Sequence, residues 1–268
     1  MTDTALTDSM LTDSMLDQTR QVASWVQGAD AALPVPSCPE WKLADLVEHI
    51  GSTQQWVATL IENRITDPSA AFGLVGQPVP AQPGEWSSWL QGSADRAATA
   101  FAGGTAGADV FDPSGGGDGI SFWRRRLFGE ISVHRIDTAL AVGQPYELDA
   151  TLAGAAVDDW LDTISSPGWA ANVPGFAAAM RGDGQTVAWV AEDIDRAWVL
   201  HRSDAPLTLT RTEAGEVGEV GAAVRGNAVD LLQVVSRRRP LAQDDAFRVT
   251  GDRGELTHLI DHMDWVGA

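Results

Sequence analysis

Cysteine and lysine are almost missing from this chain: each occurs once, as Cys38 and Lys42. A single thiol excludes an internal disulfide and any zinc site built from several cysteines, so a metal bound here has to rely on histidine and carboxylate ligands. Basic residues number 18 against 37 acidic ones, for a formal charge of −19. A surface of that sign repels phosphate backbones and anionic lipid, which argues against nucleic acid and membranes as partners. Continuous apolar runs never approach the ~18 residues of a membrane span. The first residues lack the basic and apolar regions of a secretory signal, so the expected location is the cytoplasm, with a monomer favoured. What is present, 268 residues of which 44% are hydrophobic and 21% charged, suffices for one large or two modest domains with a buried core.

The opening TDTALTDSMLTDSML is a five-residue near-repeat. Five does not match the helical period, so residues 1–17 are expected to be frayed or disordered. Helical spacing starts near Gln18 and runs through Val22 and Val26 to about Ala32, where LPVPSCPEW breaks it. Ser37 and Glu40 have the spacing of a capping box, which predicts a helix from Ser37 to just before Asp67 along Leu43, Leu46, Val47, Ile50, Val57, Leu60 and Ile61. Further helices are predicted at about 85–101, around Trp86, Trp89 and Leu90, and at about 120–142, ending at Gly143. Four helices joined by long loops predict a four-helix bundle over residues 18–147. From residue 148 the pattern changes: a helix at about 152–165, a Gly/Pro loop, then TVAWVAED, AWVLHRSD and LTLTRTE, which read as an antiparallel meander. A helix at 227–238, a short strand at FRVTG and a last helix at 254–265 complete a small α+β domain with an antiparallel sheet over 148–268, so the fold class is α+β overall.

Within the fourth helix, RRRLFGEISVHRID sets Glu130 and His134 four residues apart, one above the other on a helix. As an exposed pair they would contribute only a few tenths of a kcal/mol. Trp123, Leu127, Ile131 and Thr138 share their side of the helix, which turns the pair toward the bundle interior, and burial there without partners would cost several kcal/mol. His49 lies beside the apolar stripe of another helix, where it could supply a third ligand. Two histidines and a glutamate with one open position form a known catalytic zinc set. Spacing alone leaves the exposed pair and the metal site both open.

The run WKLADLVEHI from Trp41 to Ile50, followed by the block from Trp123 to Asp137, resembles the mycothiol-dependent maleylpyruvate isomerase family, and VRGNAVDLL with SRRRPL is similar to that family's C-terminal domain. The resemblance implies a DinB-like four-helix bundle whose His49, Glu130 and His134 hold a divalent metal, zinc foremost. It also implies mycothiol as cofactor, an electrophilic small molecule as substrate, and a catalytic arginine in the second domain, for which Arg225 is the best match. The activity it implies is cis-trans isomerisation of an unsaturated diacid, or transfer of the thiol to an electrophile. Where family members often carry histidine or another larger residue before the glutamate, this chain has Gly129.

Other candidates carry bland readings beside the sharp ones. Cys38 at a helix start is a nucleophile or a packed first-turn residue. Arg124, Arg125, Arg126 and Arg135 hold an anion or pair with the acidic surface, and the run Arg237 to Arg239 could bring a guanidinium to a carboxylate. Asp137 orients a ligand, caps, or pairs with Arg135. His201 alternates with strand core positions and reads as packing, and His258 with His262 lacks a third ligand. Two rival functions remain: a metal hydrolase using Glu48 or Asp45 as base, and a binding protein that a metal merely staples.

Overall fold

The computed structural model describes residues 6–74, 76–104, 110–241 and 246–263. It divides into two compact units, Met1–Tyr146 and Glu147–Ala268.

The first unit is helical: α1 (Asp8–Val26), α2 (Leu43–Glu62), the short α3 (Pro68–Phe72), α4 (Trp86–Gly103) and α5 (Gly119–Val142). Its four long helices form the bundle. α1 packs on α4 and α5, and α2 packs on the same two, so α1 and α2 face each other across the bundle axis. Of these four seams, the one between α2 and α5 is the most sparsely packed. α5 is buried on nearly every side, which accounts for its lack of a polar face. It starts at Asp118, whose carboxylate accepts from the Ser121 N–H, and stops at Gly143 in the left-handed region (φ 69°), a conformation that costs glycine little.

Two expectations fail here. α1 begins at Asp8, not near residue 18, with the Thr7 hydroxyl capping the Met10 N–H. The five-residue repeat places Leu11 and Met15 four apart, and with Gln18, Val22 and Val26 they form one buried stripe, so the repeat does contain a helical face. Residues 1–5 lie outside the described residues. The second failure is the helix start at Ser37. Residues 33–43 instead form turns closed by Cys38 N–H to Val35 O at 3.0 Å and Trp41 N–H to Cys38 O at 2.8 Å. α2 starts at Leu43, where the Asp45 carboxylate accepts from the Lys42 N–H at 2.8 Å. Three prolines keep the preceding segment from continuing the helix backwards.

The second unit has α6 (Ala150–Ser165), α7 (Pro167–Asn172), α8 (Pro174–Ala179), β1 (Thr186–Ala191), β2 (Arg196–His201), β3 (Thr208–Thr212), β4 (Ala222–Gly226), α9 (Ala228–Val235), β5 (Arg248–Gly251) and α10 (Arg253–Asp261). Among the described residues the sheet order is β3-β2-β1-β4-β5. β1 and β2 are antiparallel with Trp189 opposite Trp198, whereas β4 runs parallel to β1 with Val224 beside Trp189. The predicted meander corresponds to β1, β2 and β3. β4 reads only as a strand end at Arg225, because AAVRG is short and made mostly of small residues, with no alternation to mark its extent. α7 and α8 replace the expected Gly/Pro loop, each opening on a proline in its first turn. α10 ends at Asp261, and the predicted continuation at 264–265 lies outside the described residues. α6 packs on α9 and on the β2 and β3 strands, where Asp158 accepts from the Trp198 indole at 2.7 Å and from Arg211 at 2.6 Å.

Because Met15 is 1% exposed, Met15→Ala is expected to lower the unfolding free energy by about 2–5 kcal/mol. Met10→Ala, at an exposed position of the same repeat, should change it by less than about 0.5 kcal/mol. Urea titrations of the two variants check this, and equal small effects would mean that the N-terminal turns of α1 do not belong to the core.

Candidate metal centre

α2 and α5 bring His49, Glu130 and His134 together with one ligand atom from each within 4.8 Å of the others. Among the described residues this is the one group of histidine, cysteine and carboxylate side chains with that geometry. Glu130 Oε2 lies 3.1 Å from His134 Nε2 and 3.6 Å from His49 Nε2. The two imidazoles meet edge to face with centroids 4.6 Å apart. Exposure grades across the site: the His134 side chain is 2% exposed, Glu130 20% and His49 36%, so one flank is closed and the other open.

Two of the three ligands are held from behind. His134 Nδ1 is 2.8 Å from Oδ2 of the fully buried Asp137, which accepts from the ring when the proton sits on Nδ1 and leaves the Nε2 lone pair for a metal. Asp137 Oδ1 in turn accepts from the Ser37 hydroxyl at 2.5 Å. The hydroxyl expected to cap a helix is therefore spent on an aspartate 100 residues away. Arg126 Nε donates to Glu130 Oε1 at 3.1 Å, and its Nη2 is 2.9 Å from the same oxygen. One carboxylate oxygen thus belongs to the guanidinium while the other faces the histidines.

The charges follow from this arrangement. Burial raises the Glu130 pKa, but Arg126 and then the two imidazoles outweigh it and hold the carboxyl well below its usual range. Burial lowers the His134 pKa, and the hydrogen bonds to Asp137 and Glu130 outweigh that, so the ring is raised. A divalent cation would take the place of that proton between the same groups. Tetrahedral coordination at about 2.0–2.2 Å sets donors about 3.4 Å apart, the carboxylate oxygen here stands 3.1 and 3.6 Å from the two imidazole nitrogens, and two imidazoles with one carboxylate are a donor set that zinc accepts. The residues present therefore fit a divalent metal.

Trp41 covers one side, its ring 5.0 Å from that of His49 and stacked at 6.0 Å on that of His134. The cleft beside the ligands is walled by Ile50, Leu127 and Ile131 and by two polar side chains, Thr53 and Gln54.

The remaining candidates separate from the site. Cys38 is buried with Sγ 3.9 Å from Asp137 Oδ2, in a turn and not at a helix start. Arg124 pairs with Asp8, and Arg135 contacts Gln21 and lies over the Tyr146 ring, so both tie α5 to its surroundings, while Arg125 is exposed. Asp45 is engaged at the start of α2, Glu48 is exposed, and neither lines the cleft. Arg225 sits on β4 in the second unit, donating to Ala214 O at 3.4 Å with Glu192 Oε1 at 4.0 Å. Arg239 pairs with Asp230, and Arg238 donates to Ser236 O at 2.7 Å. His201 is half-buried beside the Thr210 hydroxyl at 3.2 Å. His258 reaches Ala179 O at 2.8 Å and packs on His262 with no third ligand grouped with them among the described residues. Sequence reading missed Ser37 and Arg126 as supports of the site; an arginine four residues before a glutamate on one helix was the available signal for the second.

Residues 13–139 match the family model described as the mycothiol maleylpyruvate isomerase N-terminal domain. Among solved structures, the chain is similar to the crystal structure of a mycothiol-dependent maleylpyruvate isomerase, with 14% identity, a TM-score of 0.54, and coverage of 91% of this chain and 93% of that one. A histidine-to-alanine mutant of that isomerase matches with the same identity, 14%, and the same TM-score, 0.54. At this identity the likeness speaks for the fold. A search of curated protein sequences returns no significant match.

Replacing Asp137 by Asn removes the anion behind His134 and is expected to weaken divalent metal binding by about 10–100-fold. Ser37→Ala, one hydrogen bond further out, should have a smaller effect in the same direction. Competition against a chromogenic chelator measures both, and unchanged affinity in Asp137→Asn would remove that residue's orienting role.

Proposed function

We propose, from the match of residues 13–139 to the mycothiol maleylpyruvate isomerase N-terminal domain family, that the protein is a mycothiol-dependent metalloenzyme that adds the thiol to an electron-poor alkene. The observation that carries this reading is the convergence of His49, Glu130 and His134 on one point at the mouth of a cleft, with one flank open. A cation held by those three residues supplies one thing, a lowered thiol pKa, so that the cofactor sulfur is present as thiolate near neutral pH.

The protein's own groups do the rest. Asp137 keeps the His134 Nδ1 proton in place, so the ring presents a constant lone pair. Arg126 fixes Glu130 by one oxygen and offsets its charge. Trp41 and the apolar walls limit water around the reacting atoms, which strengthens the local electrostatics. The sulfur lone pair forms a bond to the alkene carbon, and the π pair moves onto the adjacent carbon and its carbonyl oxygen as an enolate. Rotation about the new single bond followed by loss of the thiolate returns the alkene in the other geometry. Protonation of the enolate carbon from solvent, replacing the proton the thiol gave up, releases a thioether instead. The first route is an isomerase and the second a transferase, and both begin with the same addition. The role the resemblance implies for Arg225, stabilising the developing anion, is part of this proposal.

A hydrolase is disfavoured because, among the described residues, no carboxylate other than the ligand Glu130 lines the cleft to act as base. A stapling metal would have its ligands closed off on all sides, whereas His49 is a third exposed.

Calorimetric titration of the zinc-loaded protein with mycothiol is expected to show binding accompanied by proton release. His49→Ala should stay folded yet lose both metal and that binding. Thiol binding that survives in the metal-free His49→Ala variant would contradict the proposal, and unfolding of that variant would support the stapling role. Arg225→Ala is expected to lower kcat with metal content unchanged, and an unaltered kcat would remove Arg225 from the mechanism.

A further inference from the structure

The third ligand, His49, lacks the support that the other two have. His134 rests on Asp137 through a contact of 2.8 Å, and Glu130 on Arg126 through one of 3.1 Å. The His49 ring has Glu130 Oε2 at 3.6 Å from its Nε2, and among the described residues nothing forms a hydrogen bond with its Nδ1. Its side chain is 36% exposed, so the ring would otherwise exchange among its staggered rotamers. A histidine that binds metal ordinarily has its second nitrogen fixed by an acceptor, and losing that partner costs about 10–100-fold in affinity. Two ring contacts stand in its place here. His134 meets His49 edge to face at 4.6 Å between centroids, and Trp41 lies at 5.0 Å with the planes inclined at 50°.

Of these two rings, only Trp41 is held independently of the ligand set. Its N–H donates to Cys38 O at 2.8 Å and its carbonyl accepts from the Val35 N–H at 3.0 Å, so its backbone is fixed on both sides before α2 begins. Its indole packs against the bundle core and stacks on His134, 6.0 Å away with the planes 21° apart. One ring therefore touches both imidazoles, and with only two side-chain torsions it orders a neighbour at little entropic cost. Without it His134 would still have Asp137, whereas His49 would keep only the edge of His134. We propose, resting on the metal-centre reading, that Trp41 is the positioning residue of His49. It holds the imidazole by ring contact with Nε2 turned toward the cation, in the role that a hydrogen-bond acceptor fills for His134.

The test uses the full chain, zinc and cobalt(II), and the variants Trp41→Phe and Trp41→Met. Chelator competition measures zinc affinity, and the visible spectrum of the cobalt-saturated protein reports the donors around the cation. Trp41→Phe keeps a ring and is expected to retain the wild-type affinity and spectrum. Trp41→Met fills apolar space without a ring and is expected to bind zinc about tenfold more weakly, the low end for loss of an outer partner of a metal ligand. Its cobalt bands should weaken and shift even at saturation, as water replaces the His49 imidazole. A tryptophan that merely fills the core would lower the melting temperature of the metal-free Trp41→Met protein and leave zinc affinity and cobalt spectrum unchanged, which would overturn the assignment. Equal losses in the two variants, or a Trp41→Met protein that does not fold, would overturn it as well, with the metal reading left standing. Wild type that binds neither zinc nor cobalt would overturn the metal reading and this inference with it.

Discussion

The structure around the candidate metal centre depends on how one half-buried carboxylate is answered. Glu130 sits inside an otherwise apolar bundle, where an ionised acid without partners would take up a proton or destabilise the fold by several kcal/mol. Arg126 takes one oxygen and two imidazoles crowd the other, so the acid stays charged. Asp137 then answers the raised charge on His134, and Ser37 answers Asp137. The chain of groups from Ser37 to His49 is connected at every link. Removing any one leaves a neighbour's charge or hydrogen bond open, which is why the arrangement is fixed before a metal arrives.

The fold positions this chain through its least filled seam. α1 and α4 close the bundle elsewhere with small and apolar side chains and with paired amides such as Gln18 to Ser132 and Gln55 to Ser93. Between α2 and α5 the packing thins, and the ligands stand along the gap with Trp41 beside them. Rigid helices therefore carry the ligands, while access comes from the seam and from the exposed edge of His49. A ligand set exposed on one side suits catalysis better than a staple.

Much of this was legible from sequence because it depends on helical geometry. Glu130 and His134 lie four apart with Leu127 and Ile131 on their flank, and the apolar stripe of α2 locates His49. The bundle and the first three strands follow from the same periodicities, and the resemblance to one family agrees with the fold that was found. What was hidden depends on contacts between distant residues or on competing local signals. Ser37 reads as a cap from its neighbours, yet its partner is Asp137. Arg126 reads as surface within a triple arginine but is 7% exposed. The α1 turns from Asp8 to Asp17 were obscured by a repeat whose period is not helical, although Leu11 and Met15 within it are.

The central claim is that His49, Glu130 and His134 hold a metal whose open position takes the cofactor sulfur. X-ray absorption of the zinc-loaded protein, recorded with and without mycothiol, tests it most directly. The account predicts a zinc shell of nitrogen and oxygen donors that gains one sulfur at about 2.3 Å when the thiol is added. A shell that holds no sulfur under saturating mycothiol would contradict it.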